Sequence, residues 1–255
     1  MESYATAQQV FAGGLIFARL AGIIMLMPGV GEGFVPPRVR LAFAFVFALV
    51  LFPVIGGTAP PIPPQVSGVA GAVIKETLIG LMIGGILKLF MASLSTAGEV
   101  ISIQTTLSFA QTANPAMGST TPTLGTFLSL LGMVLIMSTN LHHLFIGAVV
   151  KSYSLFPFAR DIMVNDAGQL AVQTVGKAFA LGVQMSAPVL VFGFILNVAI
   201  GLVARVMPQF QVFFVAAPLS VLLGLSIFAL SLGVVGMVWL DRYREILAPF
   251  GVGNG

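Results

Sequence analysis

Long apolar runs alternate along this chain with short connectors made of proline, glycine and a few charges. A helix needs ~20 mostly apolar residues to cross the hydrocarbon of a bilayer, and about six stretches approach or pass that length. The first covers residues 10–27 and stops at Pro28-Gly29. A connector over 31–40 leads to the second stretch, 41–54. Pro60, Pro61, Pro63 and Pro64 follow. They remove N–H donors, so an extended connector is expected there. The third stretch, 66–94, carries Gly80 and Gly84 at the spacing that lets two helix backbones approach closely in lipid.

The pattern breaks over 95–123, which is rich in Ser, Thr, Gln and Ala with Glu99 as its charge. A connector of that length is usually functional or disordered. Its uncharged polarity predicts backbone lining a cavity or lying against protein at membrane depth. The fourth apolar region, 124–156, exceeds one span and holds Asn140-Leu141-His142-His143 near its middle, which predicts a long kinked helix or a tight hairpin. The most charged connector follows, with Lys151, Arg160, Asp161, Asp166 and Lys177. Two further spans, 178–204 and 213–240, are joined through Arg205, Pro208 and Gln209, and the run from Asp241 to Glu245 reads as a charged stop.

Composition turns these stretches into a class. Hydrophobic residues make up 58% of the 255 and charged residues only 7%, against about 25% charged in a soluble domain. Mean hydropathy is +1.06. Such a chain cannot coat itself for water, so it is read as an all-α integral membrane protein, a single membrane domain over 1–255. The net charge of +3 comes without any basic run, which gives no basis for nucleic-acid binding. The absence of cysteine removes disulfides and thiolate metal sites. No Lys or Arg precedes Arg19, so the N-terminal stretch reads as a retained span instead of a cleaved signal. The charged connectors assign no orientation, because the count depends on how often 124–156 crosses.

Candidate chemistry is sparse. An arginine at mid-span costs ~2.5–3.5 kcal/mol on insertion scales, so Arg19 must face protein or water. It lines an ion or substrate pathway, or it pairs with Glu76 or Glu99 and holds helices together; the second reading is favoured because no carboxylates are spaced as a proton relay. Lys75 and Glu76 lie early in the third stretch, where the lysine can snorkel to the interface. His142 and His143 are adjacent, point about 100° apart on a helix and make a poor metal pair. The hydrolase, P-loop, zinc-protease and dinucleotide signatures are all missing, so neither catalysis nor a cofactor is expected. The alternative to a protein-handling machine is a stand-alone secondary transporter, with Arg19, Glu76 and Glu99 as its site.

The order of motifs resembles the FliR/SctT family of type III secretion export-gate proteins. The resemblance runs through Phe17-Ala18-Arg19-Leu20-Ala21-Gly22, Val35-Pro36-Pro37-Arg38-Val39-Arg40, Lys75-Glu76 with Gly80 and Gly84, and Gly98-Glu99 through Gln104. It continues through Phe109-Ala110, Asn114-Pro115, Asn140-Leu141-His142-His143 and Arg205-Val206-Met207-Pro208-Gln209. The family more often has Asn-Gly-His where Asn140-Leu141-His142 stands, and Asp-Pro at Asn114-Pro115. The resemblance implies a non-enzymatic subunit of the flagellar export gate in the bacterial inner membrane, at the basal body. It would form, with FliP-like and FliQ-like subunits, a channel for unfolded flagellar proteins. It implies bent helical hairpins, a FliP-like part over 1–176 and a FliQ-like hairpin over 177–241. A pore plug over 109–122 would include Phe109, Ala110, Asn114, Pro115, Met117 and Pro122. Arg205, Pro208 and Gln209 would serve assembly or contact with an FlhB-like protein, and an FlhA-like protein would be a further partner.

Overall fold

A backbone in hydrocarbon must satisfy its N–H and C=O groups internally, which favours helices. The computed structural model describes residues 6–33, 35–108, 123–158, 164–207, 209 and 212–247, and these form seven α-helices and one 3-10 turn without strands. The helices are α1 Ala7–Leu26, α2 Pro37–Ile55, α3 Val66–Gln104, α4 Thr123–Ser138, α5 Leu141–Leu155, α6 Val164–Val206 and α7 Val212–Leu247. Five are long and apolar enough to cross a membrane by themselves: α1, α2, α3, α6 and α7. The pair α4–α5 forms a broken sixth candidate, bent by 80°. The all-α membrane class read from the sequence is the class of this fold.

Helix boundaries shift from the hydropathy reading where polar residues join a helix. Helix α3 continues through Ser95 to Gln104, where hydroxyls find partners without leaving the helix: Thr96 Oγ1 donates to the carbonyl of Ala92 at 3.0 Å, and Ser95 bonds to Ser129. The region 124–156 is broken in its middle, closer to the kinked helix than to the tight hairpin: Asn140 takes a left-handed φ of 57° and separates two helices. Asparagine is among the residues that tolerate this conformation. Helix α7 absorbs the charged stop and runs to Leu247, with Arg244 in its last turn.

The contacts divide the chain into two units. The first comprises Met1–Phe90, Asn140–Val175 and Arg244–Gly255. Its α1 opens with a capping box, Thr6 Oγ1 accepting from Gln9 N at 3.3 Å and Gln9 Oε1 from Thr6 N at 2.8 Å. The chain turns after α1 at Gly29, whose φ of 91° suits glycine. Pro37 starts α2 with a pre-set φ. Arg40 ties the turn down, donating from Nε to the Val35 carbonyl at 2.9 Å and from its terminal amine to that of Glu32. Helix α2 packs mainly on α1. The proline-rich connector is extended, and the Gln8 amide holds it by donating to Pro60 O at 2.8 Å and accepting from Ile62 N at 3.0 Å.

The second unit comprises Met91–Thr139 and Gly176–Tyr243. Small residues bring its helices together. Gly98 on α3 meets the backbone of Gly125 on α4, and Ser95 and Ser129 share a hydrogen bond of 3.0 Å about one helical turn away on each side. A Cβ on Gly182 of α6 would stand 2.9 Å from the carbonyl of Ser93. Ser220 of α7 donates to the carbonyl of Gln104 at 3.1 Å. Trp239 is wholly buried and its ring stacks on Tyr243 at 5.7 Å.

Candidate functional site

The densest polar geometry in the first unit surrounds Arg19. Its place is set by helix α1, whose buried stripe includes Leu15, Ile16, Arg19, Leu20 and Ile23. Glycines on α3 then draw the two backbones together. A Cβ on Gly80 would strike the carbonyl oxygen of Arg19, and one on Gly22 would stand 2.8 Å from both Thr77 O and Leu81 N. At Gly84 a Cβ would lie 2.8 Å from Ile23 O. The small-residue spacing at 80 and 84 therefore lines the α1–α3 contact.

This approach delivers Arg19 to Glu76. Arg19 Nε donates to Glu76 Oε2 at 2.6 Å, with the side chains 0% and 1% exposed. The guanidinium also reaches α5: its two terminal nitrogens donate to the carbonyls of Ser152 at 3.2 Å and Phe156 at 2.8 Å. Tyr153 and Phe158 cover its face, with ring centroids 4.1 and 5.4 Å from the guanidinium carbon. Lys75 Nζ donates to the carbonyl of Phe158 at 3.2 Å. A helix end exposes carbonyls and partial negative charge. Arg19 thus caps the C-terminal end of α5 with Glu76 as its counter-ion, while Lys75 holds the chain just beyond that end. Glu76 Oε1 is buried without a hydrogen-bond partner.

The other candidates fall elsewhere. Glu99 is exposed on the part of α3 that belongs to the second unit. The rings of His142 and His143 lie 4.1 Å apart at the start of α5. Among the described residues no three or more His, Asp or Glu side chains gather as a metal site. Arg205 stands exposed in the last turn of α6 and Gln209 is exposed just beyond it. Pro208 lies outside the described residues, as do Phe109, Ala110, Asn114, Pro115, Met117 and Pro122. The flanks of that segment are described. Thr106 has a φ of 57°, unusual for a β-branched residue, two residues past the end of α3. The neighbouring Gly98–Gly125 and Ser95–Ser129 contacts make α3 and α4 run in opposite directions, so the chain leaves and re-enters at one end of this helix pair.

The bacterial export proteins, family 1, match residues 10–246 of the chain. The chain belongs to this family. Among relatives of this export protein, the flagellar biosynthetic protein FliR of Caulobacter vibrioides is 58% identical over 250 residues, which are 98% of this chain and 100% of that protein. The FliR of Bacillus subtilis is 28% identical over 93% of this chain and 95% of its own length. That of Escherichia coli is 26% identical over 89% and 87%. Similarity therefore covers both units of the export protein.

Capping of α5 by Arg19, and the bond from Lys75 to the chain beyond it, escaped the sequence reading. Hydropathy marks a charge in an apolar run as a cost but carries no trace of a carbonyl acceptor more than 130 residues away in sequence, as the Arg19–Ser152 bond is. A usable signal was present at Phe156-Pro157, since the residue before a proline disfavours helix and marks an end whose carbonyls need donors.

Proposed function

We propose that the chain is a membrane subunit of the bacterial flagellar protein export apparatus. It sits in the inner membrane at the basal body and forms, with FliP-like and FliQ-like subunits, a channel for unfolded flagellar proteins. The observation that carries this reading is the end-to-end similarity to a flagellar FliR within an export family. The long helices support it. Helices α6 and α7 contain 43 and 36 residues, about 65 and 54 Å at 1.5 Å per residue, whereas the hydrocarbon is ~30 Å thick. Only 11% and 17% of their apolar stretches are buried within the chain. Lipid covers about 20 residues of such a helix, and the remaining apolar length calls for neighbouring protein.

In this reading residues 1–176 pack as a FliP-like part and 177–241 as a FliQ-like hairpin. The segment 109–122 is the plug. Departure and return of the chain at one end of α3–α4 suit a loop that projects and closes a pore, and its lack of charge excludes ions without holding charged cargo. Arg205, Pro208 and Gln209 form an assembly hairpin open to an FlhB-like protein, and an FlhA-like protein completes the partners. The chain contributes no catalysis. A stand-alone transporter using Arg19, Glu76 and Glu99 draws no support from an Arg19–Glu76 pair sealed from water.

Two experiments test the proposal. Tagged chain purified in mild detergent from its native membranes should bring down small FliP-like and FliQ-like membrane proteins in fixed ratio. Recovery of a monodisperse chain with no such companions would overturn the assembly. Deleting part of 109–122 should make the membrane leaky to small ions while some flagellar export persists. Unchanged ion permeability, with the truncated subunit present in the complex, would remove the plug role.

A further inference from the structure

Lys88 occupies the middle of the most lipid-like part of α3. Residues 77–98 contain it as their one charge, and 22 residues of helix span about 33 Å, close to the ~30 Å of hydrocarbon. Helix α3 divides cleanly around this region. Glu76, Ile79, Ile83, Leu87 and Phe90 are buried within the first unit. On the opposite side Ile74, Leu78, Leu81 and Lys88 are exposed, with Gly85 between them. Their spacing of four and three residues makes one continuous stripe. Among the described residues Lys88 has neither an ion pair nor a hydrogen bond; the buried Glu76 is occupied by Arg19.

An ammonium group at the centre of a span does not face lipid tails; intramembrane charges pair with one another or meet water. The ε-ammonium reaches only a few ångströms along its helix, while the span ends lie about 16 Å away on either side. A lipid headgroup is therefore out of range. The stripe beside Lys88 is apolar, and Gly85 permits a close neighbour, which fits a packed helix better than a wet channel.

We infer that the Ile74–Leu78–Leu81–Lys88 stripe of α3 is a docking surface for a membrane helix of another subunit, one that carries an Asp or Glu opposite Lys88. The inference rests on the proposed assembly with partner subunits and adds to it the surface and the charge that the partner must supply. Complementary charge fixes register between helices, and the wrong charge is rejected because it is left unpaired in lipid.

The test compares complexes purified in mild detergent from cells carrying the wild-type chain, Lys88→Arg or Lys88→Glu, at matched amounts in the membrane. Lys88→Arg should keep its partners. Lys88→Glu should lower their recovery at least about tenfold, equivalent to ~1.4 kcal/mol. Exchange of the partner's acidic residue for lysine should restore it. Equal recovery with Lys88→Glu overturns the inference while leaving the assembly intact, whereas a wild-type chain without partners fails the assembly itself. If Lys88→Glu does not accumulate, a photo-crosslinking residue at Leu81 in the chain with Lys88 intact decides the matter. Adducts with a membrane protein support the docking surface, and adducts with lipid alone overturn it.

Discussion

Replacing Arg19 with methionine is expected to cost about 3–5 kcal/mol of stability, the usual penalty for stripping one partner from a buried ion pair. The size follows from what is left behind. Glu76, 1% exposed, would keep a carboxylate with no cation at 2.6 Å, and the Phe156 carbonyl would lose its donor at the end of α5. Lysine should rescue poorly, since one ammonium cannot serve Glu76, Ser152 and Phe156 together or lie flat against Tyr153. The informative variant is the double replacement of Arg19 and Glu76 by methionine. It removes the stranded charge and should recover most of the loss, leaving roughly 1–3 kcal/mol for the uncapped carbonyl. Denaturation of the purified protein in mixed micelles gives the order wild type, double, single. Flagellar export by the folded double variant separates two roles: retained export means the pair serves packing, and a stable variant without export means the charges act in transport.

Gly80→Ala should be comparably damaging, although it adds only one methyl group. The new Cβ would collide with the carbonyl oxygen of Arg19, and backbone atoms cannot rotate aside as a side chain can. Overpacking typically costs ~1–3 kcal/mol, and a backbone obstacle puts this case at about 3. Separation of α1 from α3 would also lengthen the Arg19–Glu76 contact, so the two effects should not be additive. Gly71→Ala on the same helix is the control. Nothing lies within 4 Å of a Cβ there, and alanine is favoured over glycine in a helix by up to ~1 kcal/mol. Equal stability of the Gly80→Ala and Gly71→Ala proteins in the same micelle titration would show that α1 and α3 do not approach as described.

The helices were easy to read where burial in lipid makes hydrophobicity a local property. The stretch 10–27 became Ala7–Leu26, and 41–54 became Pro37–Ile55 with Pro37 at its start. The failures came where polarity was taken for loop. Ser95 and Thr96 lie in helix, since hydroxyls can bond within the helix or across to Ser129. For the site, Arg19 could be recognised from its cost alone, while its acceptors on α5 could not. Lys75 looked like an interfacial lysine and instead meets the Phe158 carbonyl.

What the sequence determined by itself is the solvent and the secondary structure: a chain with 7% charge and long apolar runs must be helical in a membrane, because both requirements act residue by residue along the chain. What only the tertiary structure decided is the choice among partners. Glu76 and Glu99 were equal candidates for Arg19 on paper, and many glycines looked alike. Gly22 and Gly80 remove the bulk that would hold α1 away from α3, so Glu76 receives the guanidinium and the end of α5 shares it. Such choices depend on which helix faces meet across gaps of 57 to 137 residues, and no local pattern encodes that distance.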